Sequence, residues 1–273
     1  MNKPTVSIIM STYNDAAYIK EAIDSVLTQS YTDWEFIIIN DASTDNSDAI
    51  IKDYVKNDNR FKYLLNKKNK KQAVNLNTCI SLAKGQYLAV LDSDDVWIDI
   101  HKLKKQVNFL NKHPKYGFVG SWAYLTDKNN NRISLLQFPE TDSAIRKYML
   151  IENCFMHDTV LMRKTSVDRI GGYNTKLRST HDYCLWLKLG LTGKMYIMKD
   201  YMLNYRQNPK GSTLSKYNQQ LEETSKIIKE FKNNYPDYSK AIFLWRLRKY
   251  IPKNNHKILV LKKIIRKYIF KTN

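Results

Sequence analysis

The chain has 273 residues, 43% of them hydrophobic, with eight glycines and six prolines, which is ample for a buried core and predicts one large domain, or one and a half. Three widely spaced cysteines (Cys79, Cys154, Cys184) argue against a disulfide framework or a zinc cluster and fit a reducing cytoplasm, while no apolar run suits a signal peptide or a membrane span. Lys and Arg number 45 against 26 Asp and Glu, a net +19, which calls for a polyanionic partner: nucleic acid, a phosphorylated ligand or an anionic membrane.

In chain order, TVSIIMS (Thr5 to Ser11) is a β-branched apolar run of strand length. In the following YNDAAYIKEAIDSVLTQ, residues Ala17, Ile19, Ala22, Ile23, Val26 and Leu27 recur at helical spacing, with Asn14 or Asp15 the expected N-cap. WEFIIIND (Trp34 to Asp41) reads as a second buried strand, and STDNSDAIIKDYVKN as a second helix capped by Ser43 or Thr44. FKYLLN is a third strand, QAVNLNTCISLAKG a third helix closed by Gly85, and QYLAVLDSDD a fourth strand. Strands apolar throughout and joined by helices predict an α/β fold: a mostly parallel, Rossmann-like central sheet flanked by helices. The second half is more mixed: a helix ended by Pro114, a strand GFVGSWAYL with a return strand, a strand, short helix and glycine turn in HDTVLMRKTSVDRIGGYN, a helix beginning in STHDYCLWLKLGLTG, and a last strand region running into the loop NPKGSTLS.

Ligands of open parallel sheets bind outside the carboxyl ends of the strands. Three such ends carry polar clusters, STYND, NDASTDNS and DSDD, and these should converge. The consecutive acids Asp92, Asp94 and Asp95 repel one another unless a cation or hydrogen-bond donors compensate. An Asp-X-Asp pair suits a hard divalent ion that shares its shell with phosphate oxygens, although alone it also describes a solvated turn.

VSIIMSTYNDAAYIKEAIDSVLTQSYTDWEFIIINDASTDNS, followed by AKGQYLAVLDSDDVW and later by GGYNTKLRSTHDYCLWLKL, resembles in order and spacing the family 2 glycosyltransferases, inverting enzymes of the GT-A fold that use nucleotide sugars. The resemblance implies that Thr12 and Tyr13 receive the nucleotide base, with Tyr13 stacking on uracil, and that Asp41 accepts a hydrogen bond from the uracil ring. It further implies that Asp92 contacts the ribose and that Asp94 ligates Mn²⁺ or Mg²⁺ on the diphosphate, with Asp95 in support. Each also has an ordinary reading: loop packing for Tyr13, a helix cap for Asp41, a helix start for Asp95. Residues 1–110 would then be the nucleotide-sugar half of the domain, 111–215 the acceptor half, and 216–273 a basic C-terminal helical extension.

Transfer with inversion needs a base for the acceptor hydroxyl, and Asp182 occupies the position of the family's catalytic aspartate at a helix start, where the helix dipole favours the anion. The residue before it is usually glutamate; here it is His181, which leaves the acceptor more in doubt than the reaction. His157 is a candidate contact to acceptor or metal. Arg206 and Lys210 lie on a loop resembling the family's mobile segment over the donor, where cations grip a diphosphate. Lys70, Lys71 and Gln72 are near the nucleotide without any one standing out, and Trp97, Trp122 and Trp186 are candidate shapers of the sugar pocket.

From Lys216 onward there are 15 Lys and Arg against four acids. Two short amphipathic helices can be drawn there, separated at Pro252 to Asn255; the second pairs an apolar face (Leu261, Ile264, Ile265, Tyr268, Ile269) with flanking Lys262, Lys263, Arg266 and Lys267. This pattern suits an anionic membrane surface; packing on the catalytic domain or on another subunit of a homo-oligomer competes with it, and no nucleic-acid motif accompanies the charge. The expected activity is transfer from a UDP-sugar to a glycan or lipid-linked acceptor, by an enzyme peripheral on the cytoplasmic face of the membrane. A nucleotidyltransferase of similar fold would need a glycine-rich loop, which STYNDAAY lacks, and a non-catalytic adaptor would be expected to lose Asp94 or Asp182.

Overall fold

The structure is a computed structural model that describes residues 3–208 and 217–248. Its first half is built as the apolar runs require. β1 (Val6–Thr12) pairs in parallel with β2 (Trp34–Asn40) from Val6 against Trp34 to Thr12 against Asn40, and β3 (Phe61–Leu65) and β4 (Tyr87–Val90) extend the sheet in parallel on either side. β2 and β4 are buried along their whole length, because helices α1 (Ile19–Leu27), α2 (Ser47–Asn57) and α3 (Gln72–Leu82) cover the sheet. Gly85 lets the chain pass β1, since a Cβ there would meet the Ser7 amide nitrogen at 2.5 Å. It therefore serves a close approach rather than closing α3, which ends at Leu82.

The second half turns the sheet mixed. After the two-residue β5 (Val96–Trp97) come α4 (Lys102–Lys112), the long β6 (Tyr116–Thr126), β7 (Arg132–Leu136), α5 (Asp142–Tyr148), a 3₁₀ turn (His157–Thr159), β8 (Leu161–Arg163) and α6 (Lys164–Arg169). α7 (His181–Thr192) and β9 (Lys194–Arg206) follow, then α8 (Tyr217–Glu230) and α9 (Tyr238–Arg248). The strand order is β3-β2-β1-β4-β8-β6-β9-β5, with β7 beside β6. β8 is antiparallel to both β4 and β6, β6 and β9 are parallel, and β5 and β7 join antiparallel. β8 thus splices a parallel sheet to a mixed one, and the candidate site lies along that splice.

Both expected helix caps move. α1 starts only at Ile19, and Asn14, at φ 59°, instead accepts the Thr44 amide. Neither Ser43 nor Thr44 caps α2; Asp45 bonds the amide and hydroxyl of Ser47. These swaps tie the loop after β1 to the loop after β2, which is how two strand ends become one surface.

The C-terminal helices pack on the domain. Leu221, Ile227, Ile228, Phe231 and Tyr235 are buried, and the Tyr235 hydroxyl donates to the Leu187 carbonyl of α7. The second drawn tail helix, beyond Pro252, lies outside the described residues. No helix among the described residues is long and apolar enough to cross a membrane.

Candidate active site

The loops after β1, β2 and β4 meet as expected. Thr12 is buried at the end of β1, and the Tyr13 ring beside it is about half exposed. Asp41 follows β2, but its carboxylate is occupied by its own chain: it accepts from Asn66 Nδ2 (2.8 Å) and from the amides of Lys70 (2.8 Å) and Lys71 (2.9 Å). It pins the strained start of α3, where Lys71 has φ 77°. The next residue, Gln72, donates to Asp92 Oδ1 at 2.7 Å. Asp41 and Asp92 are thus joined through consecutive residues that sequence reading left undistinguished.

The DSDD turn is more crowded than its sequence suggests. The Asp92 amide donates to the carboxylate of Asp158, Asp92 Oδ2 lies 3.5 Å from His157 Nδ1, and ligand atoms of Asp92, His157 and Asp158 all fall within 4.8 Å of one another. Two carboxylates and an imidazole at that spacing form a donor set for a divalent ion. Ser93 donates to Asp15 at 2.6 Å, placing a further acid beside Asp94. Burial, then the charges of Asp92 and Asp15, push Asp94 up to about 7. Burial, then the charges of Asp158 and Asp94, push Asp95 upward, while burial and the charge of Asp92 raise Asp158 to about 7 against the opposing effects of His157 and of its hydrogen bond with Asp95. Carboxylates crowded and raised in this way fit a bound cation, and the expected ligand Asp94 is a neighbour of the converging set rather than a member of it.

His157 sits where the two halves meet. Burial would lower its pKa, but Asp92, with smaller contributions from Asp158 and Asp182, lifts it to about 9. Its Nε2 shares a hydrogen bond with the Tyr173 hydroxyl at 2.8 Å. Tyr173 is placed by Gly172, at φ +71°, and by a two-way bond with Asn77 through the Tyr173 amide and carbonyl (2.8 and 2.9 Å). Asp182 lies in the first turn of α7 and accepts from Asn153 Nδ2 at 3.0 Å. His181 is buried beside it, with ring centroids 6.0 Å from His157 and 5.6 Å from Tyr173. Burial lowers its pKa, and its Nδ1 has no hydrogen-bond partner.

Several expectations change. Arg206 is not a loop cation: it ends β9, buried, with its amide on Asp95 Oδ1 (2.7 Å) and its guanidinium on the Asp94 carbonyl (2.8 Å), the Lys128 carbonyl (2.8 Å) and Glu21 (2.5 Å). With its donors committed this way it braces the acidic turn. Lys210 lies outside the described residues, whereas Asn208 donates to Asp94 Oδ2 at 3.2 Å. Trp186 and Trp97 are core side chains, the latter donating to the Asp158 carbonyl (2.8 Å), and the partly buried Trp122 bonds the Phe138 carbonyl (3.0 Å). Asp15, Asn153 and Asp158 were missed. Asp158 had a readable sign, two adjacent ionisable residues inside the apolar CFMHDTVLM.

The Glycosyl transferase family 2 profile matches residues 7–171, more than half of the chain. The chain is a family 2 glycosyltransferase. Among its relatives, putative glycosyltransferase EpsE of Bacillus subtilis is 35% identical over 209 residues, covering 75% of this chain and 74% of EpsE. An Escherichia coli relative, the UDP-Glc:alpha-D-GlcNAc-diphosphoundecaprenol beta-1,3-glucosyltransferase WfgD, is 32% identical over 190 residues, 69% of this chain and 71% of WfgD. The mannosyltransferase PcManGT of Pyrobaculum calidifontis, solved with GDP-Man and Mn²⁺, superposes with a TM-score of 0.69 at 18% identity, covering 93% of this chain and 72% of that one. The likeness identifies the family 2 chain's fold as GT-A.

Proposed function

We propose that the chain is a divalent-metal-dependent, inverting glycosyltransferase that moves Glc, Gal, GlcNAc or GalNAc from a UDP-sugar to a hydroxyl of a glycan or lipid-linked acceptor during bacterial cell-surface polysaccharide synthesis. The observation that carries this is the position of His157, whose ring belongs to the Asp92–His157–Asp158 donor set and stands 6.0 Å from the ring of His181, the neighbour of Asp182, so that it joins the acid cluster to a carboxylate at a helix N-terminus. The family favours glycosyl transfer over nucleotidyl transfer, and WfgD, named for UDP-Glc and a diphosphoundecaprenol acceptor, supports the donor and acceptor classes.

In this reading Tyr13 stacks on the uracil, Thr12 and the Asp41-pinned segment Lys70–Gln72 line the nucleoside, and Asp92 orients the ribose. Asp94, Asp92, His157 and Asp158 are the residues available to hold Mn²⁺ or Mg²⁺, with Asp95 behind them. When bound, the ion supplies positive charge against the departing diphosphate. Asp182, fixed by Asn153, takes the proton of the acceptor hydroxyl as its oxygen bonds the anomeric carbon and the bond from that carbon to the diphosphate oxygen breaks, its electron pair leaving with UDP. His181, with an unpaired ring nitrogen beside Asp182, serves the acceptor side. The basic C-terminal tail holds the enzyme on the inner face of the plasma membrane.

Calorimetric titration with UDP, with Mn²⁺ and with EDTA, tests the donor site. Metal-dependent binding that Asp94→Ala weakens at least tenfold is expected; metal-independent binding, or none, would overturn the assignment.

A further inference from the structure

α9 carries a surface that the domain core does not use. Ala241 and Arg248 face inward and are buried, and Trp245 anchors the helix through Nε1 to the Leu150 carbonyl at 3.0 Å. On the opposite face Phe243 is 61% and Leu247 45% exposed. Four residues apart, they stand together along the helix, with exposed Lys240 and Arg246 on either flank. α9 contains no acid. Exposed large apolar side chains set side by side usually mark an interaction surface, and the basic rim selects its partner.

We propose that the Phe243–Leu247 ridge of α9 is the surface by which the enzyme lies on an anionic lipid bilayer. The two apolar side chains enter the interface while Lys240 and Arg246 meet lipid phosphates. Continuity of charge supports a lipid occupant over a protein one: the 25 residues after Arg248 hold eight Lys and Arg and no acid. The Trp245 anchor holds the ridge outward: Leu150, its partner, lies three residues before Asn153, the partner of Asp182, so a bilayer on the ridge would lie one helix away from the segment that orients Asp182. The inference rests on the membrane reading above, and goes beyond it by assigning the contact to a packed helix of the domain rather than to the tail alone.

The test is co-sedimentation of the full chain with vesicles of phosphatidylglycerol mixed with phosphatidylcholine, and with phosphatidylcholine alone, for the wild type, for Phe243→Ser/Leu247→Ser and for a chain ending at Arg248. Selective binding of the wild type to anionic vesicles is expected, weakened at least tenfold in the double variant, whose melting temperature and UDP binding stay unchanged. Wild-type binding retained by the double variant but lost on truncation would overturn the ridge and leave the membrane reading standing. No wild-type binding, or equal binding to both vesicles, would overturn both. A double variant that changes oligomeric mass without changing vesicle binding would show that a second copy covers the ridge, which also overturns the proposal.

Discussion

The two halves of the site are held in place by different means. On the proposed donor side the ends of β1, β2 and β4 are set by parallel ladders, and side chains at those ends converge because the sheet makes them converge. On the proposed acceptor side the first turn of α7 has no ladder, and its N-cap residue Thr180 makes no capping bond of its own. That turn is instead held by single side chains from far along the chain. Glu223 of α8 accepts the amides of Arg178 and Ser179 (3.0 Å each) and the Thr180 hydroxyl (2.9 Å) from 43 to 45 residues away, and Asn153 reaches Asp182 across 29. Ladder-held geometry distributes its support over many bonds, whereas bond-held geometry concentrates it in a few.

The largest effect expected from this contrast is at Asp182, the proposed base. Asp182→Asn should lower turnover by about 10²–10⁴-fold while leaving UDP binding unchanged, because amide and carboxylate fill the same space and only the proton acceptor is lost. Single-turnover rates beside a UDP titration check it; normal turnover would remove Asp182 from the chemistry.

A smaller effect should separate positioning from chemistry. Glu223→Ala strips two backbone amides and a hydroxyl of their acceptor, a cost of about 1–3 kcal/mol where such groups are buried, reduced here because the site is only partly buried. Burial pushes the Glu223 carboxyl up, but the Arg178 amide, the Thr180 hydroxyl and the other donors around it outweigh that and hold it below the ordinary range, so the anion is the form that binds them. Its contribution is present above the ordinary glutamate pKa and is lost as the pH falls through the lower folded value. We expect Glu223→Ala to lower kcat about tenfold with little change in UDP affinity, and Glu223→Gln to recover part of it. Equal loss of kcat and UDP binding would mean that α8 supports the whole domain and not α7 in particular.

The same contrast explains what could be read in advance. The β-α alternation and the convergence of three polar loops follow from period and apolarity, which are local properties, and they were legible. The bracing of α7 by Glu223, the committed guanidinium of Arg206 and the pairing of Asp95 with Asp158 depend on residues that meet only after folding. Arg206 shows the limit clearly: NYRQNPKG has the composition of a loop, yet β9 runs through Arg206, which pairs with Thr126 of β6, while its amide finds the Asp95 carboxylate and its side chain finds Asp94, Lys128 and Glu21.

The smallest expected effect tests the ladder-held side. Lys102 is fully buried in α4, which packs against strands β6 and β8 of the same sheet, bonded to Gln106 Oε1 (2.9 Å) with its ammonium 4.1 Å from the Trp97 ring centroid. Burial lowers its pKa from 10.5 to about 7, against the pull of Asp158 and Asp99. Between those two values the unfolded chain carries a proton that the folded chain does not, so this group makes stability rise with pH from about 7 towards 10.5 and contributes no slope below about 7. Lys102→Met keeps the length and apolar body of the side chain, and Gln106 Nε2 keeps its bond to the Thr159 carbonyl at 2.7 Å. Stability at pH 7 should therefore change by only about 1 kcal/mol, the cost of one unsatisfied acceptor offset by the removal of a buried amine. Urea unfolding at pH 7, 8 and 9 should show a rise in the wild type that Lys102→Met flattens. If the variant keeps the same rise, the slope comes from another group; if it unfolds outright, this half depends on a single side chain as heavily as α7 depends on Glu223, and the contrast between ladder-held and bond-held geometry fails.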